Sequence, residues 1–260
     1  MKRLFSIYTV CVRTAIMQVM AYRVNTLLTS IINLVSNILF PLVTVLIYNE
    51  GAAFPGWGLW EVVLLQSIFT ISIGLSNMLF VDVFWGTSSS VQEGTFEVVL
   101  LKPLNPLLFF IMTHFAPESF GLFIGGGVMF GVAIAHTGVA SILAVMQFVL
   151  LFVSGFAVMA AIYIIMAATS FKWVGNSRIP DIAESVKTFG KYPVNIFPKA
   201  IQAVAAFVIP VSAVGFFPAQ ALLGELEPLN LLVAVPCVLF LLFGIWLYGR
   251  MIKHYEGVGG

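Results

Sequence analysis

Along the chain, apolar residues come in long unbroken runs, while polar residues gather in the short stretches between them. A hydrocarbon core of about 30 Å takes roughly 20 helical residues to cross. Runs of that length stand at about 24–48, 60–84, 119–136, 142–168, 199–217 and 229–249. Segments such as "LLTSIINLVSNILFPLVTVLIY" show no two-residue alternation, so they do not fit the strands of a membrane barrel. The pattern predicts an all-α integral membrane protein with six transmembrane helices, organised as a single domain over 1–260.

Two further helices are predicted at the membrane surface. Over residues 1–23, Phe5, Tyr8, Val12, Ala15, Ile16 and Val19 share one face, and Arg3, Ser6, Thr9 and Arg13 another. That pattern suits an N-terminal interfacial helix rather than a cleaved leader, because Arg13 interrupts the apolar stretch. Residues 107–118 form a second interfacial helix leading into the third span.

Composition agrees. Apolar residues make up 60% of the chain and charged ones 9%, with 24 phenylalanines and a mean hydropathy of +1.06, beyond any soluble domain of this size. The formal charge of +1 identifies no partner, but its distribution is informative. In the six-span layout, Lys2, Arg3, Arg13, Arg23, Lys102, Lys172, Arg178, Lys187, Lys191, Lys199, Arg250 and Lys253 all fall on one side. Glu50, Glu61, Glu225 and Glu227 fall on the other. The positive-inside rule makes the basic side cytoplasmic, with both termini there, in a multi-pass protein of the cell membrane. Cys11 and Cys237 supply no external disulfide framework.

Several chemistries find no support. No G-x-x-x-x-G-K-[ST] loop occurs, since the only Gly-Lys pair is Gly190-Lys191, followed by Tyr192. The triplet Gly125-Gly126-Gly127 lies inside a span, where glycine lets helices approach closely. His114, His136 and His254 are too scattered for a metal site, and no cofactor is expected on this chain. Ser76 in "GLSN" would need a base within hydrogen-bond reach to act as a nucleophile. His114 and Glu118, spaced i, i+4, are read as an inner headgroup pair; their alternative role is ion coupling in an ATP-independent secondary transporter or channel.

The polar stretches between spans carry the stronger signals. In the loop 85–106, "SVQEGTFEVVLLKPLNP" predicts a short helix capped by Ser90, with Glu93 and Glu97 one turn apart on the same face. Pro103 ends it, and Asn105-Pro106 turns the chain back to the membrane. In the second cytoplasmic loop, 169–198, Asp181 with Glu184 starts a short helix. Its apolar face is Ile182, Val186 and Phe189, and Lys187 and Lys191 serve either membrane anchoring or a partner. Pro210, Pro218 and Pro228 break the chain near the outer face and leave "AQALLGE" as a half-inserted helix. Asn33, Ser36, Asn37 and Thr44 are the polar candidates for a translocation path in the first span.

The loop after the second span resembles that of the type-2 ABC export permease family: an acidic residue, x-Gly-Thr-x-Glu, a leucine-rich stretch, then Pro-Leu. Gly94, Thr95, Glu97, Leu100, Leu101, Pro103 and Leu104 match, whereas Gln92 stands at the usual acidic position and Lys102 where Thr or Arg is common. Trp173, Tyr192, Pro193, Ile209, Pro210, Pro218 and Ala219 match one branch of that family. The resemblance implies a permease that dimerises with an identical or paralogous subunit and binds two ATPase subunits, which hold the ATP and magnesium. It implies export from a bacterial or archaeal cell, with no nucleic acid involved. It also implies that Glu93, Gly94, Thr95, Phe96, Glu97, Val99 and Pro103 form the coupling element, with Phe96 or Val99 packing into the ATPase. Glu184, Lys187 and Lys191 make a second cytoplasmic contact in this reading, and Pro210 and Pro218 belong to the outer gate.

Overall fold

The computed structural model describes residues 23–113, 115–175 and 177–255, together with isolated positions 9, 10, 13, 14, 17 and 20. Most of the expected interfacial helix over 1–23, and His114, lie outside the described residues. Among the described residues there is no strand, and five helical stretches are long and apolar enough to cross a membrane: Thr26–Asn49, Leu59–Gln92, Pro117–Thr137, Ile142–Ser170 and Pro228–His254. Five of the six expected spans therefore stand close to where the apolar runs put them.

Helix α1 (Arg23–Asn49) leads through a short loop to α2 (Leu59–Gln92), the spine of the bundle. At about 1.5 Å per residue its 34 residues reach roughly 51 Å, well beyond a bilayer core. Helices α5 (Phe120–Thr137) and α6 (Ile142–Ser170) pack on it, and α10 (Ala234–Met251) packs on α6. Small residues set these distances. Gly74 of α2 faces the backbone of Leu122 and Phe123, and Gly126 of α5 faces Ile71. Gly125 lies against Leu34 of α1, so two of the three glycines in the triplet are packing sites. The bundle has one end marked by Trp57 and another marked by Gln92.

The fifth crossing is not where hydropathy put it. Helix α7 (Arg178–Thr188) leaves the Gln92 end and climbs along α6, with Ile179, Ala183 and Val186 beside Thr169, Met166 and Ile162. The 3-10 turn Phe189–Lys191 meets Phe69 halfway along the bundle, where a Cβ on Gly190 would lie 2.8 Å from that ring. By Asn195 the chain has reached the other end, where Trp57 Nε1–H donates to Asn195 Oδ1 at 3.1 Å. Residues 178–196 thus join the two ends of the bundle, rather than staying at one of them as the expected loop 169–198 would. Hydropathy missed this crossing because it carries Arg178, Asp181, Glu184, Lys187 and Lys191; of these Lys187 is buried, where Glu184 and Tyr163 satisfy it.

The apolar run 199–217 does not cross. Helix α8 (Lys199–Ala203) and a π-helical turn (Val204–Val208) descend from the Trp57 end, and the chain reverses at Ile209–Val214. Helix α9 (Phe216–Leu223) then returns, ending where Ala140 N–H donates to Leu222 O at 3.1 Å. The reversal lies deep in the bundle: Ser72 Oγ donates to Val214 O at 3.3 Å, and Gly155 abuts Ala213 O. Its cause is Pro210, which lacks an N–H and drives the preceding Ile209 out of helical geometry (φ −123°, ψ 87°). Pro218 breaks nothing, since it sits in the first turn of α9, where no intrahelical donor is needed.

Charge is redistributed accordingly. Lys187 and Lys191 lie within the bundle and Lys199 near the Trp57 end, while Lys102, Lys172, Arg178, Arg250 and Lys253 stay at the Gln92 end. In a cysteine-free background, Asn195→Cys is expected to react with a membrane-impermeant maleimide from the same side as Gly56→Cys, and Val98→Cys only from the other side. Equal protection of Asn195→Cys and Val98→Cys would remove the crossing.

Candidate functional site

Two groups of side chains stand out, one at the Gln92 end and one inside the bundle. At the Gln92 end, α2 runs through Ser90 without a break, so Ser90 caps no new helix. Its carbonyl instead accepts from Thr95 N–H at 2.9 Å and from Thr95 Oγ at 3.4 Å. Gly94 makes the turn with φ +68°, the left-handed region that favours glycine. Helix α3 (Phe96–Leu100) follows. Glu93 therefore ends one helix and Glu97 stands in the next, so the two are not on a single helical face.

Helix α3 is seated by its apolar side. Phe96 is fully buried, its ring 4.9 Å from Phe171, 5.1 Å from Tyr255 and 6.3 Å from Phe110. Val99 is buried in the same cluster. Neither residue is free to pack into a partner, because both are spent on holding α3 to α6 and to the C-terminal turn. What α3 and its flanks present outward is Glu93, Thr95, Glu97, Val98, Leu101 and Pro103. Leu101 is 85% exposed, an unusual position for a large apolar side chain outside the membrane helices. Asn105 Oδ1 accepts from Leu107 N–H at 3.0 Å and so starts α4 (Pro106–Thr113) with Pro106 in its first turn. The Lys102 ammonium rests 3.7 Å over the Phe109 ring.

Helix α4 stops at Thr113, and residues 115–116 are not helical before the turn Pro117–Ser119. His114, the other member of the expected pair with Glu118, lies outside the described residues. Ser76 is fully buried and, among the described residues, its hydroxyl has no hydrogen-bond partner that could act as a base.

Inside the bundle, three helices contribute a polar network. Tyr163 of α6 donates a short hydrogen bond to Asn77 Oδ1 of α2. Lys187 of α7, itself buried, donates to Tyr163 OH at 3.4 Å and pairs with Glu184 at 2.7 Å. Higher up, Gln66 Nε2 donates to Thr44 Oγ at 2.9 Å, tying α2 to α1. Asn37, Gln66, Thr70 and Lys191 converge with Phe40 and Phe69 on a small cavity of about 10 Å³. Of the four path residues expected in α1, Thr44 and Asn37 join this group. Asn33 takes part only through its carbonyl, which accepts from Asn37, and Ser36 is exposed elsewhere.

Glu184, Lys187 and Lys191 accordingly stand along the segment that joins the two ends of the bundle, with Lys187 buried and Glu184 exposed. Pro210 is buried at the deep reversal rather than at an outer rim, with Pro218 buried beside it. Near the Trp57 end, burial and then the negative charge of Glu61 raise the Glu225 carboxyl above the usual carboxylate range. Among the described residues no three His, Cys, Asp or Glu side chains gather as a metal site would require. Gln66, Thr70 and Asn77 went unnoticed in the sequence, although polar side chains within the apolar run "LLQSIFTISIGLSN" were the available signal, and so did Tyr163 in "AAIYIIMAA".

A family model described as "ABC-2 family transporter protein" matches residues 31–259. No curated protein and no solved structure matches.

Proposed function

We propose, for a chain that belongs to the ABC-2 transporter family and is therefore the membrane permease component of an ABC transporter, that it exports its substrate through a path formed with a second permease copy. Permeases of this family normally work with ATPase subunits. In our reading two such subunits bind the Gln92 end, one on each permease, and hold the ATP and magnesium. The cluster of Lys102, Lys172, Arg178, Arg250 and Lys253 supports placing that end in the cytoplasm.

The observation that carries the coupling assignment is the two-sidedness of α3. Its inner side is locked into the chain by Phe96 and Val99, and its outer side offers Glu97, Val98 and Leu101. A movement imposed on the outer side passes through the Phe96 ring to Phe171 at the foot of α6 and to Tyr255 beyond α10. Coupling between distant sites travels through packed elements of this kind. Glu93 and Glu97 supply the charge that a basic groove on the ATPase would recognise, and Gly94 and Thr95 fix the turn that presents them.

Glu97→Lys is the direct test. Reversing a charge at an interface of this kind costs about 2–5 kcal/mol, so co-purified ATPase is expected to fall at least tenfold, as measured by quantitative mass spectrometry of the complex. ATPase recovery and transport both at wild-type levels would remove α3 from the interface.

A further inference from the structure

Helix α7 carries opposite chemistry on its two edges, and both edges lie at membrane depth. The turn that follows it, Phe189–Lys191, meets Phe69, ten residues after the start of α2 at Leu59. At about 1.5 Å per residue that turn lies roughly 15 Å below the Trp57 end, half the thickness of a hydrocarbon core. Asp181, Glu184, Ser185 and Thr188, spaced i, i+3, i+4 and i+7, share one face of the helix leading up to it. Asp181, Glu184 and Ser185 are exposed and Thr188 is half-buried. A polar stripe at this depth does not face lipid, because hydrocarbon offers its groups no partners.

The upper end of the stripe opens into a cavity of about 340 Å³. Ser185, Thr188 and Tyr192 give that cavity its polar groups, and Phe54, Phe189 and Phe197 give it rings. Both aliphatic hydroxyls already spend their protons within α7, Ser185 Oγ on Asp181 O at 2.8 Å and Thr188 Oγ on Glu184 O at 2.9 Å. What they offer a ligand is therefore lone pairs, which call for an O–H or N–H donor. Among the described residues no charged side chain lines the cavity. The Glu184 carboxylate beside it is matched by Lys187 at 2.7 Å, and the Lys191 ammonium rests over the Phe40 and Phe69 rings. An ammonium head would find no free counter-charge there, whereas hydroxyls suit it.

The neighbouring edge of α7 is apolar along the same depth. Phe189 also lines a second cavity of about 340 Å³, together with Val186, Ile201 and Val204. Val186 and Ile209 are shared in turn with a third cavity, of about 250 Å³, that reaches Ile179 and Thr169 toward the Gln92 end. The polar cavity and the apolar track are thus contiguous through the Phe189 side chain. Stripe and track pass the middle of the bundle side by side.

We propose that α7 is the rail along which the translocation path carries an uncharged, hydroxyl-bearing amphiphile. The head sits at Ser185, Thr188 and Tyr192, and the tail lies in the apolar track beyond Phe189. This rests on the permease reading above and adds the substrate class and the wall of the path that handles it.

The test is equilibrium binding of radiolabelled monoolein, methyl oleate and oleylamine to the purified full chain in phosphatidylcholine nanodiscs, each ligand expressed as its mole fraction in the bilayer. The three tails match in length, and only monoolein brings uncharged hydroxyl donors. Hydrogen bonds to two waiting acceptors are expected to favour monoolein over methyl oleate by about tenfold or more. Ser185→Ala combined with Thr188→Val is expected to remove most of that preference while ATPase still co-purifies, and Thr188→Ser alone to keep it. Ile201→Trp, which fills the apolar cavity, is expected to weaken both ligands alike. Wild-type protein that binds monoolein and methyl oleate equally, or oleylamine more tightly than monoolein, overturns the proposal. So does a folded double variant that keeps the full preference. None of these results touches the permease reading, because that reading stands on ATPase recovery with the Glu97 variant. The wild-type comparison decides the matter even if the double variant does not fold.

Discussion

Gly155→Ala is expected to lower the thermal stability of the purified protein and to stop transport, although alanine is the better helix former. Gly155 lies within α6, where exchanging glycine for alanine ordinarily gains about 1 kcal/mol. Here an added Cβ would sit 2.2 Å from Ala213 O and 2.8 Å from both Ala213 C and Val214 Cα. Those atoms are backbone, so no side chain can rotate away. The reversal at Ile209–Val214 must be displaced, and overpacking of this sort costs about 1–3 kcal/mol, enough to outweigh the helical gain. The displacement also strikes the hydrogen bond from Ser72 Oγ to Val214 O, which anchors the reversal to α2. Gly127→Ala and Gly131→Ala are the controls, since nothing lies within 4 Å of a Cβ at either position. A melting curve for Gly155→Ala at or above that of the controls would mean that α6 and the reversal are not in close contact.

That contact belongs to the part of the fold that hydropathy could not reach. Helices α1, α2, α5, α6 and α10 were legible because lipid or an apolar neighbour surrounds them, and an apolar run of about 20 residues is the sole economical solution. The crossing at 178–196 obeys another rule. Lys187 lies among protein groups, where Glu184 and Tyr163 satisfy it, and such a charge costs far less than one facing lipid. Composition alone records the lysine and not its partners. The run 199–217 failed in the opposite sense. Its hydropathy suits a span, but Pro210 divides it, and the resulting hairpin buries α9 between α2 and α6. Proline marked a break correctly, yet only the contact with Gly155 shows how deep the break lies.

The coupling element was legible as a motif and misread in its orientation. Gly94, Thr95, Glu97 and Pro103 stand where the turn and its exit require them, but nothing in "TFEVVLLK" separates an aromatic that faces a partner from one that faces the same chain. Phe171, Tyr248 and Tyr255 decide that question, and they are distant in sequence. They close an aromatic cluster in which the Phe171 ring lies 5.3 Å from Tyr248 and 4.9 Å from Phe96.

Phe96→Ala follows from that arrangement and is expected to uncouple the transporter while leaving the membrane helices assembled. Removing a fully buried phenylalanine costs about 3–5 kcal/mol. The loss falls on α3, a helix of five residues with no other deep anchor than Val99. A short helix has little stability of its own, so α3 should detach from Phe171 and Tyr255 and Glu97 should lose its fixed position. The upper bundle, held by Trp57, Phe69, Leu151 and their neighbours in a separate cluster, does not depend on Phe96. Limited proteolysis is therefore expected to cut between Glu93 and Lys102 at least tenfold faster than in the wild type, with the remaining fragments still eluting together. Transport should fall to background even where some ATPase remains bound, because the ring that carries its movement to α6 is gone. Phe96→Leu, which keeps most of the apolar volume, should recover a large share of both properties. Val98→Ala, exposed on the opposite side of α3, should leave the cleavage rate unchanged while weakening ATPase recovery. Identical cleavage of wild-type and Phe96→Ala protein would show that α3 is held by something other than this aromatic seat.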